Sequence, residues 1–256
     1  MTLVIRKAEV RDIDELLQLF NQQGLTKEQL KAILEKMHSY PYYKLFIALH
    51  DSTIVATFSL LIMDNLAHEG APGGVLEDMF ISSSVDTVTI SKRIMDFALN
   101  ECDERQCYKL CVPKSGSVIS DLMHPESYFA QHGRCFVFAL KNNVSTNSSL
   151  SFFNKELLLK EAEEFDLAAI LQLYQQPDMD DTILPAERAS QIYKRIKSYP
   201  NYKIYVVLQG DNIIATFALL IVPSFAQLNK SLAVVEDVMV SPKAQGKGVG
   251  KFMMQH

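Results

Sequence analysis

Val234-Val235-Glu236-Asp237-Val238-Met239-Val240-Ser241-Pro242 leads, across Lys243-Ala244, into Gln245-Gly246-Lys247-Gly248-Val249-Gly250-Lys251. The first part, apolar and β-branched, predicts a buried strand, and the second predicts a glycine-rich turn that opens a helix. Such a junction can hold a phosphate. Without Cβ atoms at Gly246, Gly248 and Gly250 the backbone can come close to a ligand, and the free N–H groups of a helix N-terminus then face its anionic oxygens. The helix macrodipole adds to the attraction, and Lys247 and Lys251 add point charge. The competing reading is a glycine turn that only caps a helix.

Two familiar phosphate loops do not fit. A Walker A loop requires Gly where Gln245 stands and Ser or Thr where Phe252 stands. A dinucleotide fingerprint requires its third glycine at Lys251 and an acidic residue about twenty positions on, beyond the printed sequence. Gln-x-x-Gly-x-Gly after a Val-x-Val strand and a Ser-Pro does fit another pattern. It resembles the acetyl-coenzyme A pyrophosphate loop of the GNAT superfamily of N-acetyltransferases.

The chain has 256 residues, enough for one large domain or two ordinary ones. An internal repeat favours two. Ser39-Tyr40-Pro41-Tyr42-Tyr43-Lys44 recurs as Ser198-Tyr199-Pro200-Asn201-Tyr202-Lys203, Ala56-Thr57-Phe58 as Ala215-Thr216-Phe217, and Glu77-Asp78 as Glu236-Asp237, all offset by 159 positions. The opening helices, Asp12 to Phe20 and Asp166 to Tyr174, match at an offset of 154, so the second copy gains five residues around Pro177 to Pro185. Units of this length suit a duplicated domain rather than a solenoid. Asn142 to Ser149 is polar and aperiodic, a linker. The expected organisation is a degenerate domain over 1–143, a linker over 144–152, and a domain carrying the loop over 153–256.

A net charge of −5 and a pI near 5.7 argue against nucleic acid or an anionic membrane as the main partner. Arg6, Lys7, Glu9 and Arg11 interrupt any signal peptide, and no apolar run approaches membrane-spanning length, so a cytoplasmic protein is expected. Cys102, Cys107, Cys111 and Cys135 match neither a zinc knuckle nor Cys-x-x-Cys, and no metal is expected. Reduced, partly buried thiols fit better.

Each copy is expected to open with a short strand, Leu3 to Ile5 and Glu156 to Leu159. A helix follows, in which Ile13, Leu16, Leu17 and Phe20 form one face and Asp12 with Glu15 an acidic capping box. A second helix carries Leu30, Ile33, Leu34 and Met37 behind a Thr26–Gln29 capping box; Ala189, Ile192, Tyr193 and Ile196 are its counterpart. Tyr-Pro ends both helices. Hairpins follow, Lys44 to Leu49 with Thr53 to Met63, and Lys203 to Leu208 with Ile213 to Val222, turning at Asp51-Ser52 and Gly210-Asp211-Asn212. The first copy continues through a helix to about Cys102, a strand at Tyr108 to Val112, and a last strand at Phe136 to Leu140. This order is similar to that of the GNAT fold: an α/β (α+β) chain of two tandem GNAT-like domains, each a mixed, mostly antiparallel sheet flanked by helices, the second incomplete at its C-terminus.

The resemblance implies acetyl transfer from acetyl-coenzyme A, as co-substrate, to a primary amine on a small molecule or peptide. Val238, Met239 and Val240 would line the thioester and pantetheine, with backbone N–H near Met239 and Val240 on the thioester oxygen. Gln245, Gly246, Lys247, Gly248, Val249, Gly250 and Lys251 would hold the diphosphate. Strand alternation sends Glu236 and Asp237 to opposite faces, and puts Glu236 with Val234, Val238 and Val240. Glu236 is the candidate base; either carboxylate could instead be structural. Val-Glu-Asp-Val-x-Val-Ser also looks like the fourth strand of glucosamine 6-phosphate N-acetyltransferases, and Cys107-Tyr108-Lys109-Leu110 like their fifth, which leans the acceptor toward an amino sugar.

In the first copy Asp86, Thr87, Thr89 and Ser91 replace Gln245, Gly246, Gly248 and Gly250, so the diphosphate site is lost. Its Tyr128-Phe129-Ala130-Gln131-His132-Gly133 resembles the family's Phe-Tyr-x-x-x-Gly segment with the aromatics exchanged, which removes the usual tyrosine acid at Phe129. His124 and His132 are expected as surface or loop residues. The second copy stops at the counterpart of Phe97, where the first runs about 44 residues more. It is expected to lack the fifth strand and acid segment and to leave an edge and an apolar face that need cover. A longer gene product, the first copy, or another chain in a homo-oligomer would supply it. The alternative function is a pseudo-enzyme or acyl-coenzyme A-binding interaction module.

Overall fold

A computed structural model describes residues 3–20, 26–112, 157–175, 184–225 and 231–256. The expected linker, the Tyr128–Gly133 segment, His124, His132, Cys135, the Phe136–Leu140 strand and most of the Pro177–Pro185 insertion lie outside them.

The first lobe runs β1 (Leu3–Lys7), α1 (Ile13–Leu19), α2 (Lys27–His38), β2 (Tyr43–His50), β3 (Thr53–Met63), β4 (Gly73–Ile81), α3 (Thr87–Glu104) and β5 (Lys109–Cys111). The second runs β6 (Leu157–Glu161), α4 (Leu167–Tyr174), α5 (Ala186–Ser198), β7 (Tyr202–Gln209), β8 (Asn212–Pro223), β9 (Ser231–Val240) and α6 (Val249–Gln255). The sheets have the orders β1-β2-β3-β4-β5 and β6-β7-β8-β9. Pairing is antiparallel except between β4 and β5. The first sheet is the mixed, mostly antiparallel sheet flanked by helices that the resemblance implies; the second, over the described residues, is antiparallel throughout.

Local chemistry explains most boundaries. Thr26 and Gln29 form the reciprocal capping box of α2, and Leu30, Ile33, Leu34 and Met37 are its buried stripe. At α1 the expectation is corrected. Glu9 caps a 3-10 turn, Val10–Asp12, that precedes the helix, and Asp12 is the far partner of that box rather than a cap paired with Glu15. Arg6 grips both oxygens of Asp12, at 2.7 and 2.6 Å, and fixes the entry. The same box, Glu163 with Asp166, precedes α4. The β2–β3 hairpin turns on Asp51 (φ 48) and Ser52 (φ 69), a left-handed pair whose twist suits a two-residue loop. Its counterpart turns on Gly210 (φ 62) and Asp211; Asn212 already pairs with Gln209 inside the strand.

The two sheets repeat each other in register as well as order. Leu45 faces Ser59 and Ile204 faces Ala218, with a register slip at Ala48/Leu49 and again at Val207/Leu208. Thr57 Oγ1 donates to Phe46 O, and Thr216 Oγ1 to Tyr205 O, both at 2.9 Å.

The lobes share a core. One cluster of buried side chains combines Leu16, Phe20, Leu34 and Met37 of the first lobe with Ile170, Ile192, Ile196 and Phe225 of the second. Phe20 lies 5.3 Å from both Phe80 and Phe225, ring centroid to centroid. Across the boundary α2 packs on β8, and α5 packs on the turn at His68–Gly70. Polar contacts across the boundary are reciprocal. Tyr43 Oη donates to Pro223 O and Tyr202 Oη to Asp64 O, each at 2.7 Å. The opposite sheet faces carry separate clusters, under α3 in the first lobe and under α6 in the second. No helix among the described residues is long and apolar enough to cross a membrane.

Candidate active site

β9 delivers the chain to Ser241-Pro242, a 3-10 turn over Pro242–Ala244 follows, and α6 begins at Val249. Ser241 N donates to Ile214 O at 2.8 Å and Gln245 Nε2 to Val240 O at 3.1 Å, tying both ends of the turn to the sheet. Val249 and Met253 anchor α6 on Val207, Ala215 and Phe217. Gly246 (φ 72) and Gly248 (φ 83) take left-handed backbone that side chains resist. Gly248 is the N-cap of α6 and no side chain caps it. Gly250 is different. It needs no positive φ, and a Cβ built on it, as on Gly246, would meet nothing within 4 Å. Glycine within a helix costs about 1 kcal/mol relative to alanine, and neither turn geometry nor packing requires it at 250. Lys243, Lys247 and Lys251 surround the loop, exposed and without an ion pair among the described residues.

The carboxylates depart from simple alternation. Asp237 has φ 55, and the β8–β9 register slips beside it, so Ala218 faces Glu236 while Thr216 faces Met239. The extra residue carries Met239, rather than Val238 or Val240, onto the face of Glu236 and Val234. Val234 and Met239 accordingly pack on the shared core and Val240 on the α6 cluster. Both carboxylates reach the first lobe instead of opposite sides. Glu236 Oε2 accepts from Lys109 Nζ at 2.5 Å, and Asp237 Oδ1 from Asn65 Nδ2 at 3.2 Å. Burial opposes the charge on Lys109, but its hydrogen bonds to Glu236 and Tyr108 outweigh that and hold its pKa up.

The first lobe repeats the bulge without the loop. Asp78 (φ 51) accepts from Ser224 Oγ at 3.0 Å and from Phe225 N at 2.7 Å. Asp86 caps α3 itself, taking Val88 N at 3.1 Å and Thr89 Oγ1 at 2.6 Å. Its carboxyl is held below the usual range by the Thr89 bond. A chain carboxylate thus occupies the helix end that stays open in the second lobe.

Glu77, the counterpart of Glu236, meets no cation among the described residues, and burial, then Asp78, pushes its pKa up to about 7. A carboxyl raised in the folded state costs stability above that pH. The cost is relieved as pH falls through 7 toward the unfolded value near 4.5. Glu77→Gln is therefore expected to raise the melting temperature by several degrees at pH 8, on the order of 2 kcal/mol, and to change it little at pH 4.5. Melts of both proteins at the two pH values check this.

Residues 166–256 match the Acetyltransferase (GNAT) family. Over 117 residues the chain is 26% identical to glucosamine 6-phosphate N-acetyltransferase of Arabidopsis thaliana, covering 43% of this chain and 78% of that one. Among solved structures, a putative acetyltransferase from Agrobacterium tumefaciens aligns with a TM-score of 0.46 and 21% identity, over 54% of this chain and 99% of that one. The Arabidopsis thaliana glucosamine-6-phosphate N-acetyltransferase aligns with a TM-score of 0.42 and 23% identity, over 54% of this chain and all (100%) of the other. The match to the GNAT acetyltransferases, a family whose co-substrate is acetyl-coenzyme A, thus lies in the second lobe. Among the described residues no three His, Cys, Asp or Glu side chains group as a metal site.

The sequence placed Lys109 only within the expected Cys107-Tyr108-Lys109-Leu110 strand, with no role of its own at the site, and gave Asn65 none. Their signal was faint: a lysine in a short strand and an asparagine just past a strand end.

Proposed function

We propose that the second lobe transfers an acetyl group from acetyl-coenzyme A to a primary amine of a small molecule, with a lean to an amino sugar, or of a peptide. The observation that carries this is Gly250, with Gly246 and Gly248: backbone left bare beside a helix end without a side-chain cap and three lysines that have no ion pair among the described residues, where the family loop binds diphosphate. In this reading residues 245–251 hold the diphosphate through main-chain N–H groups, and pantetheine lies by Val238 along the edge of β9 that faces away from β8. Backbone N–H at Met239 and Val240 receives the charge that develops on the thioester oxygen.

The acceptor arrives as an ammonium ion. Glu236 takes its proton, directly or through one water, and the freed amine attacks the thioester carbon. The C–S bond breaks, and the coenzyme A thiolate leaves and takes up a proton. The products are an acetamide and free coenzyme A.

The two lobes belong to this proposal as tandem copies, 1–143 and 153–256, joined by a linker over 144–152, with the first non-catalytic. A cytoplasmic setting and a homo-oligomer belong to it too. The test is release of free thiol from acetyl-coenzyme A against a panel of amines that includes amino sugars. Acceptor-dependent release is expected, and Glu236→Gln should lower kcat roughly 100-fold. Binding without turnover by any amine would leave the interaction-module reading in its place.

A further inference from the structure

We propose that the first lobe completes the catalytic site of the second, with Lys109 as the positioning residue that aims the Glu236 carboxylate. The proposal rests on Glu236 as the proton acceptor.

Lys109 stands on β5, paired opposite Gly73 of β4, so its backbone belongs to the first sheet. Its side chain crosses the lobe boundary to Glu236. Only 25% of the Lys109 side chain and 16% of the Glu236 side chain are exposed, so solvent screens this pair less than it screens surface pairs. Lys109 takes Oε2 alone, which leaves Oε1 to face an incoming ammonium.

The lysine is braced. Its Nζ lies 5.0 Å from the centroid of the Tyr108 ring, and that ring stacks on His68 at 3.9 Å. His68 (φ 51) and Glu69 (φ 58) are consecutive non-glycine residues in left-handed backbone, a conformation that persists where the surroundings impose it. The second lobe abuts this turn, where Ile192 of α5 packs so closely on Gly70 that a Cβ there would overlap it.

The bulge is held from the same side. Asn65 donates to Asp237 while its Oδ1 accepts from Ala67 N at 2.6 Å. A bulged strand leaves a glutamate several rotamers. A shielded ion pair selects one of them, which a proton acceptor needs if it is to meet the substrate within hydrogen-bond reach. Glu77 shows that strand position alone does not supply the partner, since no cation meets it among the described residues.

Lys109→Met and Lys109→Arg test this in the full chain, with the melting temperature recorded for each and acetyl-coenzyme A binding followed by calorimetry. Lys109→Met is expected to lower kcat at least about tenfold with KM for acetyl-coenzyme A unchanged, and Lys109→Arg to recover most of the loss. A bridge that only stabilises the fold would lower the melting temperature and leave kcat per folded molecule alone, which would overturn the proposal. Should Lys109→Met not fold, Lys109→Gln carries the same measurement. Wild-type turnover with kcat unchanged in the methionine or glutamine variant defeats this proposal alone. A wild-type protein that acetylates no amine defeats the Glu236 reading and this one together.

Discussion

Gly248→Asp is expected to weaken acetyl-coenzyme A binding about a thousandfold, to the point where calorimetry detects none, while the protein still melts as a folded chain. Position 248 has φ 83, and an aspartate there pays roughly 1–2 kcal/mol for left-handed backbone. Its carboxylate would also cap α6 and stand against an anionic diphosphate, as Asp86 already does at the start of α3. About 4 kcal/mol in total corresponds to the predicted loss. Gly248→Ala separates the two causes, because it keeps the strain and omits the charge, and about tenfold weakening is expected from it. Unchanged affinity in both variants would mean that the ligand does not use this loop.

Phe225→Ala is expected to destabilise both lobes at once. The ring is fully buried and meets Phe20 edge-on at 5.3 Å, and its own backbone N–H is held by Asp78. Truncating such a phenylalanine costs about 3–5 kcal/mol, which for a chain of this size lowers the melting temperature by roughly 10 °C. The shared core predicts a single transition that moves as a whole. A melt in which one lobe unfolds early and the other keeps its wild-type midpoint would show that the lobes are independent.

The elements were legible because they are periodic. The α2 stripe, the hairpin turns and the 159-residue offset each leave a pattern in one dimension, and the structure places them within a few residues of expectation. The cap at α1 was misplaced by three residues, because Glu9 and Asp12 compete for one turn and Arg6 decides between them in space. The bulge was hidden for a different reason. Strict alternation is the default for a strand, and these two bulges break it at residues that take positive φ; the repeated aspartate at 78 and 237 was their trace. Contacts such as Lys109 to Glu236 join residues far apart in sequence. No local pattern reports which sheet faces meet, so half of the proposed site could not be read before the lobes were placed together.

The central claim is that one lobe keeps an open diphosphate loop and the other has closed its own. Calorimetric titration of the whole chain with acetyl-coenzyme A tests it most directly. One site per chain, lost in Gly248→Asp and retained in Asp86→Ala, is the predicted result; no binding at all, or two sites per chain, would contradict it.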